Sequence, residues 1–282
     1  MRPPVTVVVP FRGNDADARR LQEGLRLLRL REGDEVIVAD NTDSGTDPID
    51  GPATNVVRAT GVRSAYHARN AGARAARNDW LLFMDADCTP DGDLLDAFLA
   101  RPIAERCGAV SGAIHSHPDQ QTVAACYVRS RKFFNASDGL LGADATQTGN
   151  LLVRRAAFEE VGGFARGIRS GGDLDLSRRV RAAGWTVEHR PEARVRHLHR
   201  ESLIDLLRTI ARYGAGARWL NERYPGSSPS WPLVSGLRGA AGDALGLAAN
   251  GRFEEALFRA IDGLGLVAHR LGYATSNAAP RL

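Results

Sequence analysis

The apolar positions in the N-terminal part of the chain fall into short continuous runs, and between these runs they recur every three or four residues. Val5-Thr6-Val7-Val8-Val9 is a β-branched run stopped by Pro10, which predicts a strand. After Phe11-Arg12-Gly13, Asn14 is placed to cap a helix. Asp15 and Asp17 occupy its first turn, Leu21, Leu25 and Leu28 share one face, and Arg29 and Arg31 complement the carboxyl end before Gly33. A second run, Glu35-Val36-Ile37-Val38-Ala39, stops at Asp40-Asn41. A polar loop over 42–54, with Gly45, Pro48, Gly51 and Pro52, then leads to a short strand at Val56-Val57. Residues 64–77, rich in Ala and Gly with Arg69, Arg74 and Arg77 interspersed, predict a helix packed closely on a sheet. This alternation argues for a doubly wound, mostly parallel α/β sheet.

The next run, Trp80-Leu81-Leu82-Phe83-Met84, enters Asp85-Ala86-Asp87 directly. A continuous apolar run of this length reads as a strand covered on both faces, and ligands of such sheets bind beyond the carboxyl ends of the strands. If Asp85 and Asp87 keep the two-residue period, both carboxylates leave on one side and converge on a point that calls for a cation. The same tripeptide also reads as a solvated turn, because Thr89, Pro90, Asp91 and Gly92 follow.

Beyond this point the pattern changes. A helix is expected around 94–99, a strand at 109–114, a helical stretch near 123–134 and a glycine-bounded segment, Thr148-Gly149-Asn150-Leu151-Leu152-Val153. A helix over 155–161 and a Gly162-Gly163-Phe164 turn come next. Ser170-Gly171-Gly172-Asp173-Leu174-Asp175 then opens another helix, where Asp173 has the position of a cap. Two short strands, 186–189 and 193–195, deliver His197-Leu198-His199-Arg200. Alternation puts both histidines on one side, as a strand end or as a metal-ligating pair.

Composition narrows the class. With 43% hydrophobic and 25% charged residues the chain reads as an ordinary globular protein. The net charge of +4 rests on arginine, since Lys132 is the only lysine. Basic blocks interleaved with aromatics are missing, so a nucleic-acid partner is not expected. Cys88, Cys107 and Cys126 are widely spaced, odd in number and without CxxC pairs, which excludes a disulfide framework and points to a reducing, cytoplasmic setting. The apolar run after Met1 is too short for a signal-peptide core, and none approaches the ~20 residues that span a bilayer.

Taken in order, the opening strand into Pro10, Asp40 after the second strand, Arg69-Asn70-Ala71-Gly72, Asp85-Ala86-Asp87, Gly149-Asn150, Gly162-Gly163-Phe164, Asp173 and His197 resemble the family-2 glycosyltransferases. These are inverting enzymes of the glycosyltransferase-A fold that use nucleotide-diphosphate sugars. The resemblance spans about residues 5–224, and Gly171 through Arg212-Tyr213-Gly214 also resembles a bacterial subgroup that includes mycofactocin-type glycosyltransferases. It implies a catalytic domain over 1–200, with a nucleotide-binding half to 100 and an acceptor-binding half beyond, followed by a helical appendage over 201–282.

The resemblance also implies roles. Pro10, Phe11, Arg12 and Asp40 would hold the nucleoside, with Asp40 accepting from the base of a UDP-sugar. Arg69, beside Asn70, would support the diphosphate or the Asp-Ala-Asp carboxylates. Asp85, with Ala86, would meet the ribose or sugar, and Asp87 would ligate Mn2+ or Mg2+, joined by His197 with His199 in reserve. Gly149 and Asn150 would line the sugar or acceptor pocket, and Asp173 would be the general base. One departure is Gly172-Asp173, where many members carry Glu-Asp. It keeps a non-catalytic nucleotide-sugar-binding protein open as an alternative, beside a retaining glycosyltransferase of the same fold. A nucleotidyltransferase or nicotinamide dehydrogenase lacks its glycine-rich loop after Val9. In the tail, apolar positions 203, 206, 207 and 210 with flanking arginines predict an amphipathic helix. After a break at 225–232, two further apolar segments, 233–249 and 253–273, follow. These either pack on the core or form an acceptor-side lid, a homodimer contact or a peripheral membrane contact.

Overall fold

The computed structural model describes residues 2–43, 49–132, 146–227 and 232–281. The chain opens with β1 (Val5–Phe11), α1 (Asp15–Leu27), β2 (Glu35–Asp40), β3 (Thr54–Arg58), α2 (Ala65–Ala75) and β4 (Trp80–Met84). Next come β5 (Cys88–Pro90), α3 (Leu94–Phe98), β6 (Cys107–Ser116), α4 (Val123–Ser130), β7 (Asn150–Arg154) and α5 (Arg155–Glu160). The last elements are α6 (Gly172–Ala182), β8 (Thr186–His197), α7 (Leu203–Arg223), α8 (Leu233–Ala249) and α9 (Phe253–Tyr273). Residues 133 and 134 of the predicted helical stretch, and parts of the predicted loops at 42–54 and 225–232, lie outside the described residues.

One sheet runs in the order β3-β2-β1-β4-β7-β6-β8-β5. Its N-terminal half, β3-β2-β1-β4, is parallel. The C-terminal half is mixed, with β7 antiparallel to β4 and β6, β8 parallel to β6, and β5 antiparallel to β8. Strand alternation sorts the apolar residues between two faces. Val7, Val9, Leu82 and Met84 pack with Leu21 and Leu25 of α1 and Leu94 and Phe98 of α3. On the other face, Val8, Leu81 and Phe83 pack with Tyr66, Phe158, Phe164 and Leu176. A Cβ on Gly72 would lie 2.5 Å from Val8 Cγ1, so glycine is what allows α2 to settle on β1. Asn14 caps α1 as expected, and Asp17 closes a reciprocal capping box: Asp17 N–H donates to Asn14 Oδ1 and Asn14 N–H to Asp17 Oδ2, each at 3.0 Å.

Two local expectations are corrected. The chain turns at Ala86-Asp87 and then forms β5, so Asp85 and Asp87 do not keep a strand period. The two predicted C-terminal strands are one strand, β8, whose register against β6 shifts between Gly112 and Ala113. Asn150 Nδ2 reconciles that bulge by donating to Ala113 O at 3.0 Å and Ala193 O at 2.9 Å. The residues that follow β8 also contact earlier loops. After α9 the chain returns to the loops at 61–63 and 167–170, where Arg63 N–H donates to Pro280 O and Ala279 N–H to Gly167 O, both at 2.8 Å.

Helices α7 and α9 touch backbone to backbone. A Cβ on Gly272 would stand 1.8 Å from Ala211 O, whereas one on Gly242 of α8 would meet nothing within 4 Å. Gly272→Ala is therefore expected to destabilise the protein by about 1–3 kcal/mol through overpacking. Gly242→Ala should stabilise it by about 0.5–1 kcal/mol through helix propensity. Urea denaturation followed by circular dichroism checks both signs.

Candidate active site

A cleft of about 610 Å³ opens past the carboxyl ends of β1 and β4. Pro10, Phe11 and Arg12 line one wall, and the residue that joins them from the end of β2 is Asn41 rather than Asp40. Asp40 is 2% exposed. Its carboxylate accepts from Thr42 N–H at 2.9 Å, from Thr42 Oγ1 at 2.7 Å and from Arg58 Nη1. These bonds hold the strand end and leave Asp40 outside the cleft lining. Asn41 in turn accepts from Ser64 N–H at 3.0 Å, tying the loop before α2 to β2.

The turn at Ala86 sends the two neighbouring carboxylates to different partners. Asp85 Oδ1 accepts from Arg69 Nη2. Arg69 is 4% exposed, and its guanidinium lies over the rings of Tyr66 at 5.4 Å and Phe164 at 5.8 Å. Burial disfavours the charge of Arg69, but Asp85 and Asp173 more than compensate and raise its pKa. Asp87 faces the other way, toward His197 Nε2 at 3.3 Å and Arg200 Nη2 at 3.6 Å. Burial opposes its ionisation, yet the His197 charge and hydrogen bond, with Arg200, hold its pKa at about 2. Burial likewise opposes protonation of His197, and the charge of Asp87 reverses this and raises its pKa.

Among the described residues, Asp87, Cys88 and His197 offer metal-ligating atoms that all lie within 4.8 Å of one another. A carboxylate with an imidazole suits a divalent ion such as Mn2+, and the thiol adds a softer donor. The sequence patterns single out Cys88 only as a widely spaced cysteine; its pairing opposite His197 across β5 and β8 depends on the sheet. His199 does not join the group. Its backbone is clamped by Gln120, which donates to His199 O at 3.0 Å and accepts from His199 N–H at 2.7 Å. Burial, the His197 charge and Arg129 lower its pKa to about 4.

Asp173 lies in the first turn of α6 but is not its cap. The cap position belongs to Gly171, at φ 84°, a left-handed conformation that suits glycine. Asp173 instead turns into the cleft, where Thr148 Oγ1 donates to Oδ1 at 3.1 Å and Thr148 N–H to Oδ2 at 3.4 Å. Burial raises its pKa, and the nearby Asp85 charge adds to this against the opposing effect of Arg69. Asp175, the other carboxylate of that turn, is fully buried and committed to Arg179, Arg223 and Tyr224.

Thr148 lines the cleft, while Gly149 and Asn150 stand behind it. A Cβ on Gly149 would lie 3.3 Å from Asp85 Oδ2, and Asn150 is spent on the β6–β8 bulge. Asn70 is likewise structural: it donates to Phe164 O and accepts from Phe164 N–H, both at 2.9 Å. Part of the remaining wall comes from segments distant in the sequence. Arg212 and Tyr213 of α7, Ser170 and Pro280 all face the cleft. Asn277 holds Ser170 by donating to its carbonyl at 2.9 Å and accepting from its N–H at 3.1 Å.

Residues 3–216 match the protein family described as glycosyltransferase like family 2. The chain is 30% identical over 240 residues to the pre-mycofactocin glycosyltransferase of Mycobacterium tuberculosis, covering 82% of this chain and 50% of that protein. Glycosyltransferase AglE of Haloferax volcanii is 28% identical over 126 residues, covering 44% of this chain and 41% of its own length. The chain thus spans about half the length of the curated relatives it matches first. Among solved structures, the mannosyltransferase PcManGT of Pyrobaculum calidifontis, in complex with GDP-Man and Mn2+, superposes with a TM-score of 0.66 at 19% identity, over 97% of this chain and 87% of that one. GalNAc-T7 with UDP, GalNAc and Mn2+ superposes with a TM-score of 0.54 at 16% identity, over 83% and 53%. These likenesses establish the glycosyltransferase-A fold.

The clamp on Ser170 positions the loop that leads into Asp173. Asn277→Ala should cost about 1–3 kcal/mol, because it leaves buried backbone groups of Ser170 unsatisfied. It should also accelerate amide hydrogen exchange at Ser170 while β1 and β4 stay protected, which exchange mass spectrometry resolves.

Proposed function

The chain belongs to glycosyltransferase-like family 2, and from that membership we propose that it inverts the sugar it transfers, moving it from a nucleotide-diphosphate donor to an acceptor hydroxyl. Glycosyl transfer follows from the family. The single-displacement stereochemistry, a UDP-sugar donor and a divalent ion are the further reading. One observation carries it: Asp87, which has His197 3.3 Å away as a fellow candidate ligand, and the partly buried carboxylate of Asp173 line one cleft together with the Asp85–Arg69 ion pair.

In this reading Asp87 and His197, with Cys88 beside them, would hold Mn2+ or Mg2+. When bound, the ion supplies Lewis-acid neutralisation of the diphosphate leaving group. Arg200, about half exposed at the same corner, offers a further positive charge to the diphosphate. Phe11, Arg12 and Asn41 take the nucleoside side. Asp173 receives the acceptor proton on a carboxylate oxygen as the hydroxyl oxygen bonds to the anomeric carbon. The bond from that carbon to the diphosphate breaks in the same displacement, so the configuration inverts and the nucleoside diphosphate leaves. A pKa raised by burial helps a base retain the proton it has taken.

No described helix is long and apolar enough to cross a membrane. Two of the tail's arginines are engaged within the protein: Arg252 pairs with Glu255, and Arg259 with Asp243 and Asp262. Val234, Leu245 and Leu271 nevertheless remain mostly exposed. A peripheral membrane contact on the cytoplasmic face, or a homodimer contact through this surface, completes the proposal. Pelleting with anionic vesicles supports the first and a doubled mass in light scattering the second; a monomer that does not pellet removes both.

Thermal-shift measurements with UDP, GDP and their sugars in the presence of Mn2+ identify the donor, since a ligand of the native state raises its stability. With that donor, Asp173→Asn should bind normally yet hydrolyse it, with water as acceptor, at least ~10²-fold more slowly. Asp87→Ala should keep its fold and lose Mn2+-dependent binding of the nucleoside diphosphate in calorimetric titration. Unchanged hydrolysis in the first variant removes the base assignment, and unchanged binding in the second removes the metal assignment. The anomeric configuration of the product, read by NMR, decides between inversion and retention.

A further inference from the structure

Seven arginines among the described residues line the cleft, and five of them have a carboxylate within 4.0 Å. Arg169 and Arg212 have none among the described residues. Both belong to one wall. Arg169 directly precedes Ser170, and Arg212 lies one turn before Gly216 on the face of α7 that presses on that serine. A Cβ on Gly216 would stand 2.7 Å from Ser170 Cβ and from Ser170 Oγ. Asp173 follows three residues after Ser170. The two unbalanced guanidinium groups therefore flank the loop that leads into the proposed base, whereas Asp87, His197 and Arg200 are placed by the turn before β5 and the end of β8.

The contacts these arginines do make leave their charge in place. Arg169 Nη2 donates to Ser276 O, its backbone N–H donates to Asn277 O at 3.0 Å, and its Nε is withdrawn from solvent without a hydrogen-bond partner. A carbonyl fixes a guanidinium but does not neutralise it. Arg212 is exposed, with its guanidinium 5.8 Å from the ring centroid of Tyr213, which also lines the cleft. One anchored cation and one exposed cation, both with N–H donors to spare, suit an oxyanion. A neutral acceptor needs no such charge, and the donor diphosphate has its own cations in the bound ion and Arg200. We propose that the acceptor is itself an anion, a hydroxy compound whose phosphate or carboxylate is held by Arg169 and Arg212 while its hydroxyl faces Asp173. The proposal rests on the reading of this cleft as a glycosyltransferase site with Asp173 as the base.

Glycerol 3-phosphate and D-glucuronate, each compared with its neutral counterpart, glycerol or D-glucose, test this on the full chain. The chain is first saturated with Mg2+ and whichever of UDP and GDP raises its melting temperature, so that the donor side is filled. Ligand-detected NMR then reads the binding of each probe. At least one anion should bind at least ~10-fold more tightly than its neutral counterpart, and the better of the two names the class. The double variant Arg169→Gln, Arg212→Gln should lose that advantage while it binds the nucleoside diphosphate as the wild type does. Equal binding of anions and neutral compounds overturns the proposal. A double variant that loses nucleoside diphosphate affinity by the same factor also overturns it, because the two arginines then serve the donor. Arg212→Glu gives a measurement that leaves Arg169 and its anchor intact: reversing an exposed charge that no carboxylate holds should abolish the preference for the anion, and a retained preference overturns the proposal. Failure of the base reading is separable: wild-type donor hydrolysis in Asp173→Asn, with anion binding still dependent on the two arginines, would keep the anion site and move the base elsewhere.

Discussion

The buried cation of Arg69 is the constraint to which the cleft is fitted. A guanidinium withdrawn from water is tolerated only when opposite charge and hydrogen bonds replace its hydration. Here Asp85 from the end of β4 and Asp173 from the start of α6 supply the charge, and the rings of Tyr66 and Phe164 supply the faces. One side chain thus ties together a helix, the carboxyl end of a central strand and the entry of a second helix. Its neighbours serve the same end: Gly72 brings α2 onto β1, and Asn70 fastens the loop that presents Phe164.

Around that bridge, identical side chains acquire opposite properties. Asp87 sits beside His197 and Arg200, and its proton affinity falls to a pKa of about 2 despite burial. Asp173 is equally secluded, but it faces Asp85 along with Arg69, and burial prevails to raise its pKa. The first environment favours a permanent anion, as a cation site needs; the second favours a group that exchanges a proton. The turn at Ala86 creates this division by directing Asp85 to the base side and Asp87 to the histidine side.

The third wall of the cleft comes from the end of the chain. Helices α7 and α9 approach through glycines closely enough that a methyl group would collide with backbone. This contact directs the residues after α9 back to the loops flanking the cleft, where Asn277 grips Ser170 and Pro280 completes the lining. The helices beyond β8 therefore share in shaping the site.

Much of this was readable in order along the chain. The apolar runs at β1, β2 and β4, the Asn14 cap and the acidic residues at strand ends depend on interactions within a few residues, which periodicity and capping chemistry report directly. The order of the motifs pointed to the family, and the cleft does gather Phe11, Arg12, Arg69, Asp85, Asp87 and Asp173. Partner choice was not readable, because it depends on distances between elements. Asp40 is held by Arg58 from the neighbouring strand, Asn150 closes a bulge in β8 that reads as a break between two strands, and Gly171 relieves Asp173 of capping. The glycine at 172 looked like a missing carboxylate until α2 placed Tyr66 against it. Local pattern decides which way a side chain leaves its own backbone; only the packing of helices on the sheet decides what it meets.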